Sequence, residues 1–171
     1  MMSKPALAVR PANQRLRIAT LRLFFVAALI PILWGVPVWQ AVPVQALMRT
    51  AGSLCIVAAV LGRFWAILYI GGRKKAEIVS RGPYSISRNP LYIFSFFGAF
   101  GIGAQSGSLT LAVLFTLASL AVFYLTVRRE EAWLGATFGA AYAAYKARTP
   151  RFLPNFALWR DEAELSIRPS F

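Results

Sequence analysis

The sequence predicts an all-α, polytopic membrane protein of about four transmembrane helices, with a helical hairpin and a cytoplasmic C-terminal helix. Three observations predict it. The chain of 171 residues is 58% hydrophobic with a positive mean hydropathy, too apolar for a soluble fold of this length. Long stretches carry no charge, as bilayer-spanning segments require. The basic residues gather at the ends of those stretches. Nineteen Lys and Arg stand against six Asp and Glu, a formal charge of +13. In a soluble protein that excess would point to nucleic acid. At the ends of apolar runs the same cations orient the chain in the membrane and meet anionic lipid.

Residues 1–22 form a basic cytoplasmic N-terminus, with Lys4, Arg10, Arg15, Arg17 and Arg22 and no acid. The first apolar run covers 23–39. Pro31 and Pro37 kink it, which bilayer helices tolerate when neighbours satisfy the freed carbonyls. A signal peptide is the rival reading of this run, against a long basic region and a weak cleavage pattern at Val44-Gln45-Ala46. The second run, 47–70, is about one bilayer thickness as a helix. Residues 23–70 thus supply the first two transmembrane helices.

The segment 71–154 follows as a candidate catalytic half. Its loop, 71–90, carries Arg73, Lys74, Lys75, Arg81 and Arg88, which place it in the cytoplasm. A short run at 91–104, the turn QSGS at 105–108 and a fourth run at 109–127 read as a helical hairpin. Residues 128–148 are rich in helix formers and stop at Pro150. Both termini then share the cytoplasmic side. The tail, 155–171, with Asp161, Glu162 and Glu164, reads as a surface element or a partly disordered one. Short loops and no targeting signal beyond the basic N-terminus predict a bacterial inner membrane.

Composition limits the chemistry. The chain has no histidine, which removes His-based zinc sites and a His general base. Its single cysteine, Cys55, sits in an apolar run and reads as a small packing residue. No metal ligand cluster is expected.

Four features stand out from this background. Gly82-Pro83-Tyr84 precedes Ser87-Arg88-Asn89-Pro90. Pro90 suits a first helical position, and Asn89 is held extended by the proline and suits an N-cap. Such a helix start, flanked by Arg88 and Tyr92, either only begins the third span or also offers donors to an anionic group. Glu130-Glu131 is an adjacent acid pair just beyond a span. It pairs with Arg128 and Arg129, favours a helix N-terminus, or builds a site. Glu130, Leu134, Phe138, Tyr142 and Tyr145 share one helical stripe, and Glu131, Gly135 and Gly139 an adjacent one. The glycines admit another helix or a flat ligand close to the backbone. Arg63 lies inside the second span, where an arginine either snorkels or faces a polar cavity. Gly71-Gly72 ends that span as a helix stop.

In order, GPYSISRNPLY, an apolar hairpin and EEAWLGATFGAAYAAYKARTPRFLP resemble the membrane-embedded isoprenylcysteine carboxyl methyltransferase family. More widely they are similar to the phospholipid methyltransferases that share its catalytic half. The resemblance covers about residues 60 to 154. It implies S-adenosylmethionine-dependent methyl transfer at the cytoplasmic membrane surface. The acceptor implied is a lipid or a lipidated, amphiphilic molecule bearing a carboxylate, as in an isoprenylcysteine. It implies cofactor contacts from Tyr84, Asn89, Pro90, Tyr92, Glu131, Tyr142 and Tyr145, and a catalytic part for Arg88 and Glu130. Arg63 joins the catalytic set from its place in the second span. Family members often carry histidine where this chain has Asn89, which leaves a hydrogen-bonding role there without acid–base capacity.

Such chemistry suits a chain without histidine. Methyl transfer from a sulfonium needs alignment and exclusion of water, and a carboxylate acceptor needs no general base. The acids serve the cofactor's ribose or amino group, and Arg88 or Arg63 meets its carboxylate or an acidic acceptor. A phospholipid N-methyltransferase is the rival enzyme, with Glu130, Glu131 or a tyrosine receiving the proton. A membrane scaffold subunit is the rival outside enzymes.

Overall fold

The computed structural model describes Val26, residues 41–71 and residues 76–161. The first expected span at 23–39, apart from Val26, and the basic N-terminus lie outside the described residues. So do Gly72, Arg73, Lys74 and Lys75. Every regular element among the described residues is helical.

Helix α1, Val42–Ile70, begins with proline in its first turn and ends at Gly71, whose N–H donates to the Ile67 carbonyl at 2.8 Å. At 1.5 Å per residue it is about 43 Å long, more than the hydrocarbon core. Leu47, Leu54, Leu61, Phe64 and Leu68 are exposed along it, while Gly52, Ala59, Gly62, Ala66 and Tyr69 are buried. Large apolar groups therefore point outward and, Tyr69 apart, small ones inward, the reverse of a water-soluble helix and the arrangement of a lipid-facing one.

A single helical turn, α2, Pro83–Ile86, sits in the loop after α1. Helix α3, Pro90–Ala104, packs against both α1 and the following helix and lies between them. Its approach to α1 is close: a Cβ on Gly101 would stand 2.6 Å from the Gly52 carbonyl oxygen. The turn at 105–108 then leads into α4, Leu109–Arg148, where Ser108 Oγ accepts from the Leu111 N–H at 3.4 Å.

Two local expectations are corrected. No break falls between 127 and 128, because Arg128, Arg129, Glu130 and Glu131 are good helix formers and carry α4 on out of its apolar part. The interruption comes later, at Gly139, with φ 51° and ψ −121°. That conformation is open to glycine and costly to residues with a Cβ. Asn89 occupies the N-cap position of α3 but makes no capping bond with its side chain. Its backbone carbonyl accepts from Tyr92 N–H, and its side-chain amide donates instead to the Arg151 carbonyl at 3.1 Å.

The described part of the tail is bound to the rest. Arg88 N–H donates to Pro150 O at 2.9 Å, Asn155 N–H to Ile86 O at 3.0 Å and Gly82 N–H to Arg160 O at 2.7 Å. Tyr69 OH donates to Asp161 Oδ1 at 2.7 Å, and Trp159 stacks on Trp65 with ring centroids 5.7 Å apart. Residues 150–161 thus form a strap across the loop that carries α2.

Candidate active site

Where α1 ends, α3 begins and α4 leaves its apolar run, the chain encloses a cavity of about 480 Å³. That volume lies within the range of small-molecule sites. Arg63, Tyr84, Arg88, Asn89, Tyr92, Glu130, Glu131, Tyr142 and Tyr145 all line it. Each comes from the ten residues singled out in the sequence. Pro90 does not line it: buried at the first position of α3, it starts the helix that presents Tyr92.

The acid pair divides its work because neighbours on a helix point about 100° apart. Glu131 turns inward and is 8% exposed. Arg88 Nη2 reaches its Oε1 at 3.3 Å, and Arg151 Nη2 reaches its Oε2 at 2.8 Å. Arg151 Nε also donates to both oxygens at 3.2 Å. Two guanidinium groups on one carboxylate leave the cluster with net positive charge. Arg128 and Arg129 take no part in it. Glu130 accepts a hydrogen bond from Tyr92 OH at 3.0 Å.

The cluster still has binding capacity. Arg88 Nε and Nη1 and the Tyr84 hydroxyl are buried and lack a hydrogen-bond partner. Buried donors in native folds are nearly always paired, so three around one cavity mark a place prepared for acceptor atoms. An anion fits that donor set.

Tyrosines complete the wall. Tyr145 OH donates to the Tyr84 carbonyl at 2.7 Å, fixing α4 beyond Gly139 to α2. Burial, then the nearby Glu131 carboxylate, pushes the Tyr142 phenol up to about 12. Burial likewise raises Tyr84, aided by Glu130, and Tyr145, aided by Tyr142. All three stay protonated donors at neutral pH. The bond to Glu131 raises Arg151 further above its ordinary value. At the apolar side, Arg63 Nη1 donates to Ser95 Oγ and to Leu91 O, tying α1 to the first turns of α3.

The helical stripe is corrected by the break. Glu130, Leu134, Tyr142 and Tyr145 line the cavity, whereas Phe138 packs edge-on against Trp133 with centroids 6.3 Å apart. Gly139 serves backbone direction and not close approach, since nothing lies within 4 Å of a Cβ placed there. Sequence reading missed Arg151, whose only signal is its place in the PRFLP segment. It also missed Trp133 and Phe123, aromatic residues that line the cavity beside the acids.

Apolar helices facing outward, with a cavity lined by charged, tyrosine and apolar residues at the helix ends, are the arrangement of a membrane protein. Residues 46–141 match the model of the phospholipid methyltransferase family, and the chain belongs to that family. It is a membrane methyltransferase by that membership. It is 38% identical over 149 residues to the nickel-cobalt-cadmium resistance protein NccN of Alcaligenes xylosoxydans xylosoxydans, covering 87% of this chain and 70% of the relative. It is 35% identical over 156 residues to the cobalt-zinc-cadmium resistance protein CzcN of Cupriavidus metallidurans, covering 91% and 72%. A shorter match, 31% over 77 residues, is to the protein-S-isoprenylcysteine O-methyltransferase of Schizosaccharomyces pombe, covering 45% of this chain and 33% of that enzyme. No solved structure matches the chain.

Proposed function

We propose that the protein transfers a methyl group from S-adenosylmethionine to a carboxylate of a lipidated or amphiphilic acceptor. The observation that carries the proposal is Arg88: a buried guanidinium whose Nε and Nη1 lack hydrogen-bond partners, in the wall of a cavity partly lined by apolar residues. Both nitrogens are charge-assisted donors, and each suits a carboxylate oxygen. Ile70, Val79, Leu91, Phe123 and Leu134 form the apolar part of the lining and suit a hydrocarbon tail.

S-adenosylmethionine, when bound, supplies a methyl group on a positively charged sulfur. The residues present fit such a cofactor, because carboxylates for an amino group or ribose and hydroxyl donors for a carboxylate share the cavity. Glu131, Tyr84, Asn89, Tyr92, Tyr142 and Tyr145 would hold it. Arg88 would orient the acceptor carboxylate, and Arg63 would meet it at the exposed apolar side. Glu130, bonded to Tyr92, stabilises positive charge beside the acceptor. A carboxylate is already a nucleophile, so the residues need only align it and keep water out. We place the site on the cytoplasmic face of a bacterial inner membrane, on the charge asymmetry of the loops.

A second reading has its own support. Glu130 lines the cavity and could take the proton of an amine acceptor, as the family's phospholipid name suggests. The metal-resistance names of two relatives name no methyl acceptor. Among the described residues no three His, Cys, Asp or Glu side chains converge as a metal site.

Purified protein in lipid nanodiscs, given methyl-labelled S-adenosylmethionine and native membrane extract, tests both readings. A labelled product that releases methanol on treatment with base is a methyl ester and supports the carboxylate. A base-stable product supports the amine. No transfer, with no cofactor binding by isothermal titration, overturns both.

A further inference from the structure

A second feature lies on the other side of Arg88, outside the cavity. Lys146, Arg148, Thr149, Leu153, Asn155 and Phe156 line a shallow open cleft of about 580 Å³, and no acid among the described residues lines it. Leu153 is 84% exposed and Phe156 74% exposed. Single exposed apolar residues are ordinary on a protein surface. These two are adjacent, sit beside two cations, and are held in place. Asn155 Oδ1 accepts from the Ala157 N–H at 3.1 Å and Asn155 N–H donates to Ile86 O at 3.0 Å, so the turn that presents Phe156 is fixed.

Its level relative to the membrane helices is also fixed. Phe152 packs on Phe96 with centroids 5.7 Å apart, and the Arg151 guanidinium lies over the Tyr124 ring at 5.7 Å. Phe96 is about 9 Å into α3 from its start. The strap therefore dips to the depth of the outer turns of the spans before Leu153 emerges. Trp159, stacked on Trp65 of α1, sits where interfacial tryptophans gather.

We infer that residues 151–156, with Lys146 and Arg148, are an anchor that docks on the anionic phospholipid interface of the bilayer the chain spans. Leu153 and Phe156 enter the region between headgroups and acyl chains, and the two cations meet lipid phosphates. The charge match selects an anionic lipid surface over a neutral one. Docking also braces the site, because Asn89 donates to the Arg151 carbonyl and Arg88 N–H to that of Pro150. The inference rests on membrane residence and not on the acceptor, so its failure is separable from that of methyl transfer.

Spin labels at single cysteines test it, in full-length protein carrying Cys55→Ser, with Leu153→Cys or Phe156→Cys, in nanodiscs with and without phosphatidylglycerol. The expected result is greater contact with oxygen than with a water-soluble nickel reagent at both positions, increasing with phosphatidylglycerol. Lys146→Gln with Arg148→Gln should remove the increase. Labels that favour the nickel reagent in both lipids overturn the anchor. An unchanged depth with and without phosphatidylglycerol overturns the anionic preference.

Discussion

Arg88 and Glu131 meet at 3.3 Å with both side chains only 8% exposed, joining the loop before α3 to the part of α4 beyond its apolar run. The pair is held from the far side by Arg151. Removing the acid would leave two guanidinium groups without their shared partner, which is more damaging than losing a surface ion pair.

Glu131→Gln is therefore expected to weaken S-adenosylmethionine binding by about 10- to 100-fold, from a lost charge-assisted bond of about 1.5–3 kcal/mol. Arg129→Gln, at an exposed position on the same helix, should leave affinity unchanged. Isothermal titration in detergent reads both. Equal affinities for the two variants would remove Glu131 from the site.

Arg88→Lys keeps the charge and loses the fork. Methyl transfer should fall roughly 10-fold or more while cofactor affinity changes little, since Arg88 is assigned to the acceptor. A kinetic assay alongside titration separates the two. Loss of affinity with turnover preserved would reassign Arg88 to the cofactor.

Asn89→Asp removes the amide that donates to the Arg151 carbonyl and sets a carboxylate against that oxygen. Thermal unfolding should show destabilisation of about 1–3 kcal/mol, with activity reduced. Asn89→His retains an N–H donor and should keep most of both. Full stability in the Asp variant would mean the bond to the strap is dispensable.

Gly139→Ala has room for its methyl group but not the conformation, at φ 51° and ψ −121°. The expected loss is about 1–3 kcal/mol of stability. Tyr142 and Tyr145 should also be displaced, so cofactor affinity should fall. An unchanged unfolding temperature would show the break to be soft.

Alkaline pH should unfold the protein through its tyrosines. Tyr142 is pushed up to about 12 from an unfolded value of 10.0, chiefly by burial. The unfolded chain then gains from ionisation first, so stability is full below pH 10.0 and declines as pH rises toward 12. Tyr84 and Tyr145 shift the same way. Phenolate absorbance during alkaline titration should lag in the folded protein, and Tyr142→Phe should remove part of the lag.

The helices were legible because their signals are local. The apolar runs at 47–70 and 91–104 and the QSGS turn at 105–108 fall where α1, α3 and the hairpin turn lie. Nine of the chosen side chains converge on one cavity because motif order reflected shared position. The strap was not legible, because Gly82, Arg88 and Asn155 use backbone N–H groups that leave no pattern of side chains. Neither was the break at Gly139, since a lone glycine in an alanine-rich helix shows no sign of its φ. Arg151 was passed over because a cation after a helix has an ordinary explanation in the dipole.

The strap also dates the site within the life of the chain. Synthesis runs from the N-terminus, so residues 150–160 are made after the helices that line the cavity. Until Pro150, Asn155 and Arg160 arrive to meet Arg88, Ile86 and Gly82, the loop bearing Tyr84 lacks its outer brace. A chain ending before Pro150 would lack those three backbone bonds. The wall of the cavity is thus braced by residues that follow, in sequence, every helix that lines it.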